Sequence, residues 1–134
     1  MSDWNNQVIT EFRANEGKVD GPFKDATLLL LTTTGAKSGK KRTNPLMYLP
    51  DGDRMIIFAS KGGAPTNPDW YHNLLAHPQA TAEVGTETFN VKATVIEGEE
   101  RDRLYAIQAK RFSSFADYEA KSPRKIPVIA LERA

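Results

Sequence analysis

Lys37-Ser38-Gly39-Lys40-Lys41-Arg42 puts four cations beside a glycine. Glycine lets main-chain N–H groups turn towards a guest, and the cations meet an anion's oxygens, so the stretch suits a phosphate or carboxylate. Arg42 ranks above the lysines because its planar fork grips two oxygens at once. The stretch is not a P-loop. In Gly35-Ala36-Lys37-Ser38-Gly39-Lys40-Lys41 the glycines are too close together, and Lys41 stands where Ser or Thr is required. A second candidate is Ala59-Ser60-Lys61-Gly62-Gly63, whose paired glycines let a flat ring or a phosphate approach the main chain. Trp70 and Tyr71 follow, two amphipathic rings beside the amides of Asn67 and Asn73. Core packing is the alternative role for one of those rings. Phe112, Phe115 and Tyr118 recur at three-residue spacing, fit either to roof a planar substrate or to fill a core. Tyr118 keeps a polar tip and is the stronger functional candidate.

Several chemistries are excluded. The 134 residues contain no cysteine, so there is no disulfide scaffold, thiolate metal site or catalytic thiol. His72 and His77 are the two histidines, too few for a His-rich metal site. His72 reads as a surface or packing residue. No G-x-G-x-x-G is present, and spacing alone supports neither a Ser/His/Asp triad nor paired carboxylates. The net charge of +1 predicts little long-range steering. The charge is unevenly placed: −2 over residues 1–25, +4 over 26–68 and −1 over 69–134. A local basic loop on a near-neutral chain suits a small anionic ligand better than a long nucleic acid. The longest aliphatic run is the four leucines 28–31, far short of the ~20 residues of a membrane span. No signal peptide is visible at the start, and a soluble, cytoplasmic protein is the expectation.

The elements that must position these groups follow from periodicity. One domain over residues 1–134 is expected, with 1–21 an N-terminal helix and its connection. Trp4, Val8 and Phe12 share one face of a helix over residues 2–15, and residues 17–22 break it. Residues 26–34 form a strand that does not alternate, hence one buried on both faces. Residues 35–42 are a loop. Residues 43–49 form a second strand despite Pro45, which suits an edge or an opening. Asp51-Gly52 turns the chain into a strand over 54–60. After the loop 61–67, Asn67 caps a short helix with Pro68 in its first turn and Asp69 at its positive end, finishing before Pro78. Residues 80–84 and 87–96 make a hairpin around Gly85-Thr86, with Phe89, Val91, Ala93 and Val95 facing inwards. Helices follow over 99–112, with Leu104, Ile107 and Phe112 apolar, and over 114–121, then a strand over 126–131. The order α-βββ-α-ββ-α-α-β, joined mostly by hairpins, predicts an α+β fold with a mainly antiparallel sheet. Closing that sheet into a small barrel with helices packed outside removes its exposed edges.

Residues 32–46, TTTGAKSGKKRTNPL, resemble the first signature of the deazaflavin-dependent nitroreductase family, whose members are reductases using the 8-hydroxy-5-deazaflavin coenzyme F420. Ala59 to Gly63, Asn67-Pro68, Trp70-Tyr71 and Asn73-Leu74 resemble its second signature. Asp117-Tyr118 with Arg124-Lys125-Ile126-Pro127-Val128 resembles its end. The resemblance covers nearly all of the chain from about residue 22. It implies a split β-barrel, the fold of flavin-binding reductases. It implies that Lys37, Ser38, Gly39, Lys40, Lys41 and Arg42 hold the cofactor's phosphate and acidic tail. Asn44, Pro45, Ala59, Ser60, Lys61, Gly62 and Gly63 would line the deazaflavin and its ribityl chain. Asn67, Trp70 and Asn73 would complete the site, and Ser60 and Tyr118 would orient substrate. Phe112 and Phe115 stand where some members carry tyrosines that shape the substrate pocket, so hydroxyl donors for nitroimidazole activation are missing here.

The activity this implies is hydride transfer from the reduced deazaflavin to a flat conjugated acceptor: a quinone, an unsaturated lactone or enone, or a nitroaromatic. The cofactor carries the chemistry, which explains the lack of a general-base constellation. Solvent or Tyr118 would give the proton that follows. Alternatives are an FMN- or NADPH-linked reductase on the same barrel, a non-catalytic carrier of deazaflavin, and a nucleic-acid-binding barrel with Trp70 and Tyr71 as stacking platforms. A monomer or homodimer is expected, with no nucleic acid, no metal and no integral membrane segment. Peripheral membrane contact is not favoured, given the short, acidic start.

Overall fold

A computed structural model describes residues 2–15, 28–60, 67–121 and 125–134, with residues 2–6 described by backbone alone. Ten elements follow in the expected order: α1 (Ser2–Ala14), β1 (Leu28–Thr34), β2 (Lys41–Asp51), β3 (Arg54–Phe58), α2 (Asp69–Ala76), β4 (Gln79–Val84), β5 (Glu87–Ile96), α3 (Gly98–Arg111), α4 (Ser114–Lys121) and β6 (Val128–Arg133). The six strands close into a barrel in the order β1-β2-β3-β6-β5-β4, with every pair antiparallel. Gly52 and Gly85, both at φ 59°, make the two tight turns that fix the β2–β3 and β4–β5 registers.

Alternation along the strands sorts apolar side chains into an inner and an outer set. Leu29 and Leu31 of β1, Ile57 of β3, Ala82 of β4, Val91 of β5, and Ile129 and Leu131 of β6 fill the barrel. The neighbours of these residues point outwards and are buried too. Leu28 and Leu30 meet Val8 and Phe12 of α1. Ile56, Phe58, Val128 and Ala130 meet Leu104, Tyr105 and Phe115 of α3 and α4. β1, β3 and β6 are thus covered on both faces, which is why their sequences do not alternate. α1 is also tied to β4 by Arg13, whose Nε and Nη2 donate to the two carboxylate oxygens of Glu83 at 3.0 and 2.8 Å. α2 inserts Trp70 and Leu74 into the interior cluster.

Four expectations need correction. Asn67 does not cap α2: Pro68 holds the cap position, with no side-chain capping bond. Val95 is not inside. β4 begins at Gln79, opposite Lys92, so the end of β5 runs beyond its neighbour on that side. Val95 is 37% exposed there, and Ile96 is buried beneath the helices instead. Ile107 is exposed, because the inner stripe of α3 is Arg101, Leu104, Tyr105 and Gln108. Finally, β2 starts at Lys41, so Lys41 and Arg42 belong to a strand and not to the loop. The break over 17–22, residues 26 and 27, and the Trp4 side chain lie outside the described residues.

Candidate functional site

Three consecutive threonines end β1, and each side chain has a different partner. Thr32 Oγ1 is 2.8 Å from Thr43 Oγ1 across the β1–β2 ladder. Thr34 Oγ1 accepts from Lys41 Nζ at 2.9 Å. Thr33 is turned inwards, 1% exposed, and its Oγ1 accepts from Asn73 Nδ2 of α2 at 3.1 Å. The other end of the same amide is used as well: Asn73 Oδ1 accepts the N–H of Ala36 at 2.9 Å. Asn73, expected to touch a cofactor, therefore spends both its polar atoms on the protein and pins the loop after β1 to α2.

That loop closes on itself. Gly35 N donates to Lys40 O at 2.8 Å, Gly39 N to Gly35 O at 3.0 Å, and Lys40 N to Ser38 Oγ at 3.2 Å. Gly39 sits at φ 70°, where a side chain would be strained. A Cβ on Gly35 would collide with Ser38 Oγ. Ser38 thus serves the bend with its hydroxyl, while Lys37, Lys40 and Arg42 stand exposed. Among the described residues no acid lies within ion-pair distance of these three. Three uncompensated cations around a closed turn attract a multiply charged anion.

β2 divides the remaining candidates between its two faces. Leu46 and Tyr48 pack on the interior cluster, so Arg42 and Asn44, at the same parity, share that side. Lys41, Thr43, Pro45 and Met47 take the other. The β2–β3 ladder runs only from Tyr48↔Ile57 to Asp51↔Arg54, whereas β1 pairs with β2 as far as Lys41. Among the described residues, 41–47 therefore have a strand on one side only, and Pro45, which lacks an N–H, suits this open edge.

Across that opening the chain leaves β3. Ala59 is buried and donates its N–H to Pro127 O at 3.0 Å. Ser60 is also buried. Lys61, Gly62 and Gly63 lie outside the described residues. Asn67 follows, with its Oδ1 buried and without a hydrogen-bond partner among the described residues. Trp70 is the ring that belongs to the core, and Tyr71 is half-buried with its ring edge-on to His72 at 5.7 Å.

The aromatic trio divides as well. Phe115 is buried against Phe58 and Tyr105, with ring centroids 5.7 and 6.4 Å away. Phe112 and Tyr118 flank it half-buried, at 6.5 and 5.4 Å. Tyr105 donates its hydroxyl proton to Phe115 O at 2.6 Å, and Arg101 clamps Ile126 O from α3. Sequence reasoning missed Thr33, Arg101 and Tyr105. The first reads as one of a strand's threonines, and the second as a solvated charge. It missed Tyr48 too, whose phenol burial pushes above the usual range. No group of His, Asp or Glu suited to a metal occurs among the described residues.

Comparison with known proteins adds four findings. Residues 4–133 match the family model described as F420H(2)-dependent quinone reductase. The chain is 39% identical over 126 residues to an F420H(2)-dependent quinone reductase of Mycobacterium tuberculosis (strain ATCC 25618 / H37Rv), covering 91% of this chain and 85% of that one. A solved structure described as an F420-H2 dependent reductase (FDR-A) is similar at TM-score 0.72 and 39% identity, over 79% of this chain and 94% of the other. A second, described as a domain-swapped dimer, is similar at TM-score 0.74 and 38% identity over 98% of each chain.

Proposed function

The chain belongs to the F420H(2)-dependent quinone reductase family, and from that premise we propose how its residues take the coenzyme and present it to a quinone-type acceptor. The protein is an F420-dependent reductase with the barrel expected of one. When bound, the reduced deazaflavin supplies the hydride; the protein supplies position and electrostatics.

The residues present fit such a coenzyme. Its phosphate and acidic tail need cations, and Lys37, Lys40 and Arg42 stand exposed at a closed glycine turn with no described acid to neutralise them. Its flat polar ring needs an apolar slot edged by hydrogen-bonding groups. The edge of β2 at Asn44 and Pro45, the buried Ala59-Ser60 segment, and the Asn67 Oδ1, which has no hydrogen-bond partner among the described residues, supply those edges. We assign Lys37, Lys40, Lys41 and Arg42 to the tail, Asn44, Pro45, Ala59, Ser60, Lys61, Gly62 and Gly63 to the ring and ribityl chain, and Asn67 to the ring edge. Trp70 supports the site from the core. Ser38, Gly39 and Asn73 shape the loop.

On the acceptor side, Ser60 follows β3 two residues after Phe58, which packs against Phe115. Tyr118 and Phe112 offer half-buried ring surface to a planar quinone, and Phe115 is too buried to touch one. Tyr118 holds a proton for the reduced acceptor. With phenylalanine at 112, ring stacking outweighs hydrogen bonding there, which favours quinones over nitroimidazoles. No described helix is long and apolar enough to cross a membrane. A homodimer belongs to this reading on the strength of the domain-swapped relative.

The cationic turn, with no acid among the described residues within ion-pair distance of Lys37, Lys40 or Arg42, carries the reading. Its test is a titration with oxidised F420 and, in parallel, FMN, followed by turnover of reduced F420 with a quinone panel. Micromolar binding of F420 with weaker FMN, and quinone-dependent reoxidation, are expected. FMN preference, or binding without turnover, would overturn it.

A further inference from the structure

Asn73 lies on α2, 40 residues from Thr33 in sequence, yet the two make a buried hydrogen bond of 3.1 Å. Thr33 is 1% exposed and Asn73 7%. Asn73 Oδ1 accepts the Ala36 N–H at 2.9 Å, one residue before Lys37. The arrangement runs in one direction: a buried hydroxyl orients an amide, and the amide orients the first turn of the cationic loop. Without Thr33 the amide is free to flip or rotate, and the Ala36 N–H loses a fixed acceptor. The other contacts within the loop, Gly35 N to Lys40 O and Gly39 N to Gly35 O, close the turn but do not attach it to the barrel.

We propose that Thr33 and Asn73 are a positioning pair that sets the cationic turn for the anionic tail of the coenzyme, and that neither needs to touch the coenzyme to do so. This rests on the function proposed above and adds to it a division of labour: the pair governs the tail and leaves the ring alone. A preset turn binds more tightly because ordering it costs nothing on association. Thr33 is the sharper probe, since a side chain so buried touches no ligand itself: it bonds Asn73 and lies across the β1–β2 ladder from Arg42.

The experiment compares two probes, oxidised F420 and the same deazaflavin carrying only its ribityl chain, on the wild type, Thr33→Val, Thr33→Ser and Asn73→Leu. Thr33→Val and Asn73→Leu should weaken F420 about tenfold, the scale of one lost hydrogen bond. The tail-free probe should change less than twofold. Thr33→Ser, which keeps the hydroxyl, should bind F420 like the wild type. Equal losses on both probes, or no loss in Thr33→Val, would overturn the proposal. Hydrogen exchange at the Ala36 amide gives a readout without ligand: faster exchange in Thr33→Val is expected, and unchanged exchange also overturns the pair. If the wild type binds neither probe, the functional reading fails, and amide exchange alone then decides whether the pair sets the turn.

Discussion

The Arg101 guanidinium, 5% exposed, donates from Nε and Nη2 to the single carbonyl oxygen of Ile126 at 3.1 and 2.7 Å. Its Nη1 reaches Asp102 and Glu119 at 3.1 and 3.3 Å, and its Cζ lies 4.8 Å from the Tyr105 ring centroid. One side chain thus joins α3, α4 and the approach to β6. Arg101→Met keeps the stem but leaves a buried carbonyl without its donors, and should cost about 1–3 kcal/mol in denaturant unfolding. Arg101→Lys should recover little, since an ammonium cannot reproduce the fork. A change below ~0.5 kcal/mol in Arg101→Met would show that water takes over the carbonyl.

Gln108 lies two turns further along the same face, 0% exposed, with neither amide atom hydrogen-bonded among the described residues. A buried amide without partners is a standing cost of about 1–3 kcal/mol. Gln108→Leu, close in volume, should therefore raise the melting temperature. A lower melting temperature would mean that the amide has a partner beyond the described residues.

Tyr48 gives the chain an alkaline limit. Burial holds the phenol above its ordinary 10.0, so the folded chain keeps a proton that the unfolded chain releases. Above pH 10 the unfolded state binds fewer protons, and stability falls as pH rises from the unfolded towards the folded value. Tyr48→Phe should remove that loss. Urea titrations from pH 8 to 11 should show the two proteins parallel below pH 9 and diverging above it, with Tyr48→Phe the more stable. Parallel curves throughout would place the phenol in water.

Arg42, Lys37 and Lys40 should dominate coenzyme affinity. Arg42→Ala should weaken F420 by about 1.5–3 kcal/mol, the size of a charge-assisted bond. Raising salt from ~0.05 to ~0.5 M should weaken the wild type more than the variant, since exposed charges are screened. Unchanged affinity in calorimetry would place the tail elsewhere.

The barrel was legible because its registers are set locally. Asp51-Gly52 and Gly85-Thr86 are turn signals between apolar runs, and both proved to be hairpins. The inner face of α3 was hidden, since Arg101 and Gln108 look like solvent residues until the groups they face are known. Asn67 looked like a cap because its type suits one, but Pro68 takes that place. In the site, the cationic turn is contiguous and therefore visible, whereas the Thr33–Asn73 contact joins two segments that only the closed barrel brings together. Trp70 and Tyr71 were indistinguishable by type, and burial alone tells the core ring from the half-exposed one.

Pro45 has one last consequence. A free strand edge next to an extended segment normally zips shut, each amide recruiting the next carbonyl. Where an amide hydrogen is lacking, that spontaneous sealing stalls, and β3 runs out of ladder at Phe58 while β2 carries on. The imino acid works as a built-in doorstop: it offers no donor to a further strand, and among the described residues this stretch of β2 is laddered to β1 alone.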